Sequence, residues 1–326
     1  MINKRLILFP QYPTKLRYQE WWLQFLPSEF EKYFSEVVVL NPTITNNESN
    51  NITNFSPVKS SIEFESKQIE EFLKLNPTRD DIVLILDVSF PGLVGNIIPH
   101  FLEVPFYGYV HATSINRYDY FSNSRIQKRK LEQGQINLFK KCFVSTYYHK
   151  NLLLDKLKVK KNKIKLIKGL PYNPIIDKYR TRSYTKKYEI ISVSRNSKQK
   201  INKKLEKYVE NFFGLKIERK KCSSWEEYYS FLGESKILLI TSKDDTYGYA
   251  AMEAFQMGCI PIVPDNFAYE EIYPLTYKYE SREDLIETIG KHISKWKDPR
   301  EDQSVYDYAP SLSKWVMYLV MEMADG

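Results

Sequence analysis

The chain reads as an α/β protein built from two domains, each a parallel sheet with helices on both faces. Its 326 residues exceed what one hydrophobic core usually organises. Short apolar runs alternate along it with stretches of helical periodicity, the pattern of parallel strands joined by crossover helices. A break falls at Lys168-Gly169-Leu170-Pro171-Tyr172-Asn173-Pro174, where a glycine and two prolines interrupt that alternation. The boundaries that follow are 1–172 for a first domain, 188–308 for a second, and 309–326 for a terminal helix that would cross back to the first. A linker runs through the basic residues 178–187.

The first domain begins with strands expected at 5–9, 37–40, 82–87, 106–110, 142–145 and 164–167, with helices between them. Each run is too short for a helix and rich in the apolar residues that strands buried on both faces carry. Residues 41–61, rich in Asn, Thr and Ser, read as a long surface loop. The second series runs strand 188–194, helix 201–212, strand 215–218, helix 224–232, strand 236–240 and helix 248–257, which Gly258 ends. A strand at 260–263, a short one near Tyr277 and a last helix at 313–323 complete it.

Composition narrows the class. A hydrophobic content of 43% suits a fully globular chain, and no run of 18 apolar residues is available to span a bilayer. The start, Met1-Ile2-Asn3-Lys4-Arg5 followed by apolar 6–9, is too short for a signal peptide and reads as a first strand, so the expected location is cytoplasmic. Cys142, Cys222 and Cys259 are odd in number, lack metal-ligand spacing and read as buried thiols. A net charge of +8 favours an anionic partner: a nucleotide, a nucleic acid or an acidic membrane surface contacted peripherally. The densest basic run, 158–165, falls in a helix-to-strand connection and is open to two readings, a solvated turn or an anionic acceptor surface.

The residues most suggestive of chemistry are Asp245-Thr246-Tyr247-Gly248-Tyr249-Ala250-Ala251-Met252-Glu253. Two carboxylates stand eight positions apart around a glycine at a strand-to-helix junction. The free N–H groups of that helix start and the positive end of its dipole suit a diphosphate, and Glu253, further along the helix, suits ribose hydroxyls. Arg195 and Lys200, five apart after the strand at 188–194, are cations of the kind a diphosphate needs, or ordinary surface charges.

This stretch, continued by Ala254-Phe255-Gln256-Met257-Gly258-Cys259-Ile260-Pro261-Ile262-Val263-Pro264-Asp265, resembles the retaining nucleotide-sugar glycosyltransferases of the GT-B fold. Their hallmark is an acidic residue, seven intervening residues and a Glu, and about twenty consecutive positions match. The first acid here is Asp245 where the family usually has Glu, one methylene shorter. The resemblance implies two Rossmann-like domains facing across a cleft and a nucleoside-diphosphate sugar as donor. It assigns Arg195 and Lys200 to the diphosphate, Gly248 and Tyr249 to the donor at the helix start, Glu253 to the ribose and Asp245 to sugar hydroxyls. It also implies that His111, at the end of the strand 106–110, positions the sugar and stabilises an oxocarbenium-like state.

Acceptor residues are read from the ends of the first-domain strands, where open parallel sheets bind ligands. Asn116, Arg117 and Asp119 are candidate contacts or turn-stabilising residues; Asp87 binds acceptor hydroxyls or belongs to a helix N-cap network; Tyr118, Tyr120 and Phe121 stack on a ligand or pack. After the first strand, where many relatives carry a glycine-rich loop, this chain has none, and Gln11, Lys15 and Arg17 are available as polar or anion-binding groups. The expected acceptor is a cell-envelope glycan or lipid-linked sugar, or a hydroxymethylated DNA base, because the string 109–121 also resembles phage-type enzymes that glycosylate such bases. Asp244-Asp245 is not an Asp-x-Asp motif and no His/Cys/carboxylate set has ligand spacing, so no metal or other cofactor is expected. Two other classes share the donor features: a sugar-nucleotide epimerase of the same fold and a catalytically silent nucleotide-sugar-binding module.

Overall fold

The structure, a computed structural model, describes residues 2–44, 57–116, 125–194 and 200–324. In chain order the first part holds β1 (Ile2–Phe9), α1 (Tyr18–Phe30), β2 (Phe34–Val39), α2 (Pro57–Lys74), β3 (Asp81–Ile85), β4 (Phe106–Tyr109), α3 (Arg125–Leu138), β5 (Lys141–Val144), α4 (Tyr147–Leu152) and β6 (Ile164–Leu166). The second holds α5 (Asp177–Arg180), β7 (Tyr188–Ile191), α6 (Lys203–Phe213), α7 (Trp225–Gly233), β8 (Ser235–Leu239), α8 (Tyr249–Gln256), β9 (Ile260–Pro264), α9 (Tyr269–Ile272), β10 (Lys278–Tyr279), α10 (Arg282–Ser294) and α11 (Leu312–Ala324). Two wholly parallel sheets result, one ordered β2-β1-β3-β4-β5-β6 and one ordered β10-β9-β8-β7.

The alternation of side chains shows why the strand runs are uniformly apolar. In β1, Leu6 and Leu8 enter one core cluster while Ile7 and Phe9 enter another, and in β3 Leu84 and Val83 divide the same way. Both faces of the six-stranded sheet are therefore covered, as a parallel sheet requires. The first of these clusters runs without a break into the second sheet, through Tyr229, Leu238 and Met252. α11 lies against the first sheet: the Trp315 ring is 5.1 Å from Trp22 and 5.3 Å from Tyr109, the Tyr107 hydroxyl donates to the Met323 carbonyl at 3.1 Å, and Glu322 bridges Lys141 and Lys165.

Local departures have local causes. The strand expected at 215–218 is a single bridge, Ile191 to Glu218, which extends the β7 edge of the second sheet without a run of paired residues. Residues 57–61 of the expected long loop are helical, because Pro57 is preset for the first position of α2; 45–56 lie outside the described residues. The expected linker contains α5, one turn of helix. Cys142 and Cys259 are buried, whereas Cys222 is only half-buried.

Each sheet has one place where the chain reverses its direction of travel across the strands. In the first it lies between β1 and β3, and in the second between β7 and β8, since the chain leaves β7 toward the Glu218 bridge and returns to β8 on the other side. The loops leaving those strands diverge and open a crevice, where ligands of open α/β sheets bind.

Candidate functional site

The second crevice is lined by the loops after β7 and β8. They are stitched together: Thr241 Oγ accepts the Asn202 N–H at 3.0 Å and donates to Glu206 at 3.2 Å, and Asn202 caps α6. On that base Lys200 Nζ reaches the Asp244 carbonyl at 3.0 Å and the Asp245 carboxylate at 3.3 Å. The Tyr269 hydroxyl donates to the same Asp245 oxygen at 3.0 Å. Arg195 lies outside the described residues.

Gly248 follows with φ +86°, and α8 starts at the next residue with no side-chain cap. A side chain at Gly248 would adopt a left-handed conformation and put Cβ 2.4 Å from the Tyr269 ring. The N–H groups at the start of α8 are thus left without a capping side chain. Glu253, further along this helix, is buried with its oxygens taken by two phenols, Tyr228 at 2.8 Å and Tyr229 at 3.3 Å. Burial pushes its carboxyl up to about 7, although the two phenol hydrogen bonds and the Arg17 charge pull it down.

The first sheet closes over this loop. Thr246 donates to the His111 carbonyl at 2.6 Å, Asn116 to the Asp244 carboxylate at 3.2 Å, and Thr146 to the Thr246 carbonyl at 3.0 Å. The Tyr249 ring stacks on Tyr18 at 5.4 Å and 16°. His111 lies within 5.0 Å of the Tyr18, Trp22 and Tyr109 rings, and its Nε2 is 3.1 Å from the Leu86 carbonyl. Since a carbonyl only accepts, Nε2 carries the hydrogen and Nδ1 the lone pair. Burial, then the neighbouring His149, lowers the His111 pKa to about 3, and burial does the same for His149. Both imidazoles are neutral in the folded state. The unfolded chain takes up their protons below about pH 6.5, so they withdraw stability as pH falls from there toward 3. The expected result is that the imidazole NMR signals of both stay flat from pH 8 to 5, and that no limb of a pH–rate profile in that range disappears in His111→Gln.

Of the expected acceptor residues, Gln11 and Asp87 are hydrogen-bonded to each other across the crevice of the first sheet, and Asp87 also accepts the Ser89 N–H at 3.0 Å, closing a turn. Lys15 is exposed. Arg17, expected among the acceptor contacts, lies close enough to Glu253 for its charge to act on that carboxyl. Asn116 is buried, its carbonyl oxygen on the Thr113 N–H and its amide on Asp244. Arg117, Asp119 and the aromatic trio Tyr118, Tyr120 and Phe121 lie outside the described residues. The structure therefore brings His111, Asn116, Lys200, Asp245, Gly248 and Tyr249 into one neighbourhood.

Four tyrosines of that neighbourhood were not singled out from the sequence: Tyr18, Tyr228, Tyr229 and Tyr269. Tyr228 and Tyr229 sit in an amphipathic helix whose aromatic residues read as core, and only long-range contact reveals that their hydroxyls end on a carboxylate. Among the described residues no three His, Cys, Asp or Glu side chains come together as a metal-ligand set, and no helix is long and apolar enough to cross a membrane.

No family model matches the chain. It is 28% identical over 99 residues to the tRNA-queuosine alpha-mannosyltransferase of Drosophila melanogaster, a match that spans 30% of this chain and 26% of that protein. Among solved structures, Anabaena HepE in complex with UDP and glucose superposes with a TM-score of 0.63 at 11% identity, covering 99% of this chain and all of that one. The N-terminal domain of a Candida albicans trehalose-6-phosphate phosphatase superposes with a TM-score of 0.66 at 10% identity, covering 100% of this chain and 97% of that one. At such identities likeness speaks for architecture and leaves chemistry to the site. The chain has the GT-B fold, two Rossmann-like α/β units facing each other across a cleft.

Proposed function

We propose that the chain is a glycosyltransferase that moves a sugar from a nucleoside-diphosphate sugar to an acceptor hydroxyl, with retention at the anomeric carbon. The observation that carries this reading is the meeting of Lys200, on the loop after β7, with Asp245 and the uncapped start of α8, on the loop after β8, with Glu253 further along the same helix and His111 meeting the second loop from the other sheet. The domain boundaries proposed are 1–172, 188–308 and 309–326, the donor belonging to the second.

Lys200 and Arg195 neutralise the diphosphate, and the α8 N–H groups bind one of its phosphates or the sugar. Glu253 releases Tyr228 or Tyr229 to take a ribose hydroxyl. Asp245 and the neutral His111 orient the sugar, and Tyr249 bounds its pocket. In the reaction the bond from the anomeric carbon to the diphosphate oxygen breaks, the acceptor oxygen bonds that carbon on the same face, and the acceptor proton leaves with the departing phosphate. The site's own cations stabilise the charge that develops there. The sequence offers two acceptor classes, a cell-envelope glycan or lipid-linked sugar and a hydroxymethylated DNA base. The relative named for transfer to a tRNA nucleoside supports a third, an RNA nucleoside in place of the DNA base, with the protein acting in the cytoplasm.

The test is a panel of labelled nucleotide sugars offered with glycan, lipid-linked and nucleic-acid acceptors. Transfer is expected with at least one pair, and Lys200→Ala should lower it about 10- to 100-fold, the worth of a charge-assisted hydrogen bond of about 1.5–3 kcal/mol. Its melting temperature should hardly change, since a part-exposed ion pair contributes little to stability. Epimerised nucleotide sugar released without any acceptor, or binding without turnover on every acceptor, would point instead to an epimerase or a silent binding module.

A further inference from the structure

The positive charge of this chain is concentrated in one stretch. Residues 125–168 contain fourteen Lys and Arg but only two acids, Glu132 and Asp155, a formal +12 within a chain of +8, which leaves the remainder at −4. The fold gathers that stretch at the β6 edge of the first sheet. Arg129 donates to the Lys156 carbonyl, Gln133 to the Lys158 carbonyl at 3.3 Å, and the Lys160 N–H to Asn137 at 3.1 Å, so α3 and the turn after α4 form one surface. Ion pairs among the described residues engage Lys141, Lys165 and Lys168. They leave Lys130, Lys140, Lys158, Lys160 and Lys161 exposed and outside them. A solvated face of ordinary composition would intersperse acids among these cations.

Beside this face opens a cleft of about 580 Å³ whose walls carry the rings of Tyr147, Tyr148 and Phe267, with Lys156 and the carboxylates Asp155, Glu270 and Glu271 around them, so that the cleft suits the uncharged base and the phosphates stay on the lysine face outside it. Tyr147 is 55% exposed, and the Tyr148 ring meets Phe267 edge-on at 6.2 Å. The inner wall adjoins the candidate donor loop. Burial and then the charges of Asp244 and Asp245 raise the Tyr148 phenol, and the Ala268 N–H donates to the Asp245 carbonyl at 3.3 Å. Aromatic rings beside a basic track are the means by which proteins hold unstacked bases, and the cleft is of ligand-pocket size.

We propose that this basic face and cleft are the acceptor side of the site: the lysines grip the phosphate backbone of a folded RNA, and one unpaired nucleoside of a loop enters between Tyr147 and Phe267 toward Asp245. The proposal rests on the glycosyltransferase reading for its purpose but not for its test, which measures binding without donor. A loop nucleoside is already unstacked, whereas a duplex base must first be flipped out. An acidic bilayer competes for the same charge, helped by exposed Ile126 and Leu131 on α3, but a planar surface has no use for an aromatic cleft.

The full chain is titrated with a labelled RNA stem–loop, a DNA duplex of the same stem sequence and phosphatidylglycerol vesicles. RNA is expected to bind best, weakening about 10- to 100-fold between about 50 and about 200 mM salt. The triple reversal K158E/K160E/K161E should weaken it tenfold or more, and Tyr147→Ala roughly tenfold, the value of one lost stacking partner. The reversal K295E/K297E, beyond the end of α10, should leave it unchanged. Preference for duplex DNA or vesicles, equal loss in K295E/K297E, or full binding by Tyr147→Ala overturns the proposal. RNA binding by a chain that transfers no sugar would overturn the enzymatic reading and leave this one standing.

Discussion

Glu253→Gln is expected to weaken donor binding about 10- to 100-fold while leaving the protein as stable as wild type or more so at pH 8. The two halves of that result have one cause. Glu253 is raised to about 7 from an ordinary 4.5 by burial, so the folded state holds its proton more tightly than the unfolded state. Stability is then highest below about pH 4.5 and is lost as pH rises to about 7, by about 3 kcal/mol in all. Gln carries no charge to bury, so the variant lacks this loss. Its amide can accept from only one of Tyr228 and Tyr229, which reduces the gain to about 1–3 kcal/mol at pH 8, fading near pH 5. His111 and His149 act in the opposite direction over part of this range, so the quantity to measure is the difference between wild type and variant in denaturant titrations at pH 5 and 8. Ribose binding, by contrast, needs the ionised acceptor, so wild-type donor affinity should rise from pH 6 to 8 and that of the variant should stay level. A variant less stable at pH 8 with unchanged donor affinity would remove Glu253 from the site.

Gly248→Ala should be the more damaging of the two. With φ at +86°, alanine adds about 1–2 kcal/mol of backbone strain. Its Cβ would stand 2.4 Å from Tyr269 Cε1 and 2.8 Å from the Tyr269 hydroxyl, and overpacking of a buried ring costs about 1–3 kcal/mol more. The Tyr269 ring is fully buried and cannot swing away as the end of a flexible chain would. The combined loss of about 2–5 kcal/mol should lower the melting temperature by roughly 5–15 °C. Because the displaced hydroxyl is the one on Asp245, donor binding should fall as well. Adding Tyr269→Ala removes the collision but leaves a cavity that itself costs about 3–5 kcal/mol, so the two losses should be less than additive and donor affinity should not return. A Gly248→Ala protein that melts like wild type would mean that the turn before α8 is looser than its geometry implies.

The sheets were the readable part of this sequence, because a strand covered on both faces has to be apolar at every position, and 82–86, 142–144 and 237–240 are. Their ends were less legible: β1 begins at Ile2, which pairs with Phe34 before a register irregularity that spans polar Asn3 and Lys4, and an apolar run cannot register such a start. The local part of the candidate site was legible for a related reason, since Asp245, Gly248 and Glu253 share one loop and helix and their spacing survives in the chain. Contacts that join distant residues were not. Nothing in the local pattern pairs Gln11 with Asp87, stacks Tyr18 on Tyr249, or ends two phenols of α7 on Glu253. The second depends on how the two sheets meet and the others on how elements distant in sequence pack within one half, and Tyr228 and Trp225 are as consistent with plain core packing as with a carboxylate's neighbours.

The hydrogen bonds from Thr246 to the His111 carbonyl, from Asn116 to Asp244 and from Thr146 to the Thr246 carbonyl cross from one sheet to the other at the loop that would hold the sugar. Any ligand that re-aims residues 244–246 must therefore disturb the ends of β4 and β5 in the same step, and whatever pulls on those strand ends must re-aim the loop. The two halves are thermodynamically reciprocal: if donor sharpens the hold on acceptor by some factor, acceptor sharpens the hold on donor by the same factor. Kinetically this favours an ordered sequence in which the first substrate sets the loop for the second. Spent nucleotide would then be retained until the glycosylated product has gone or the cross-sheet bonds have opened.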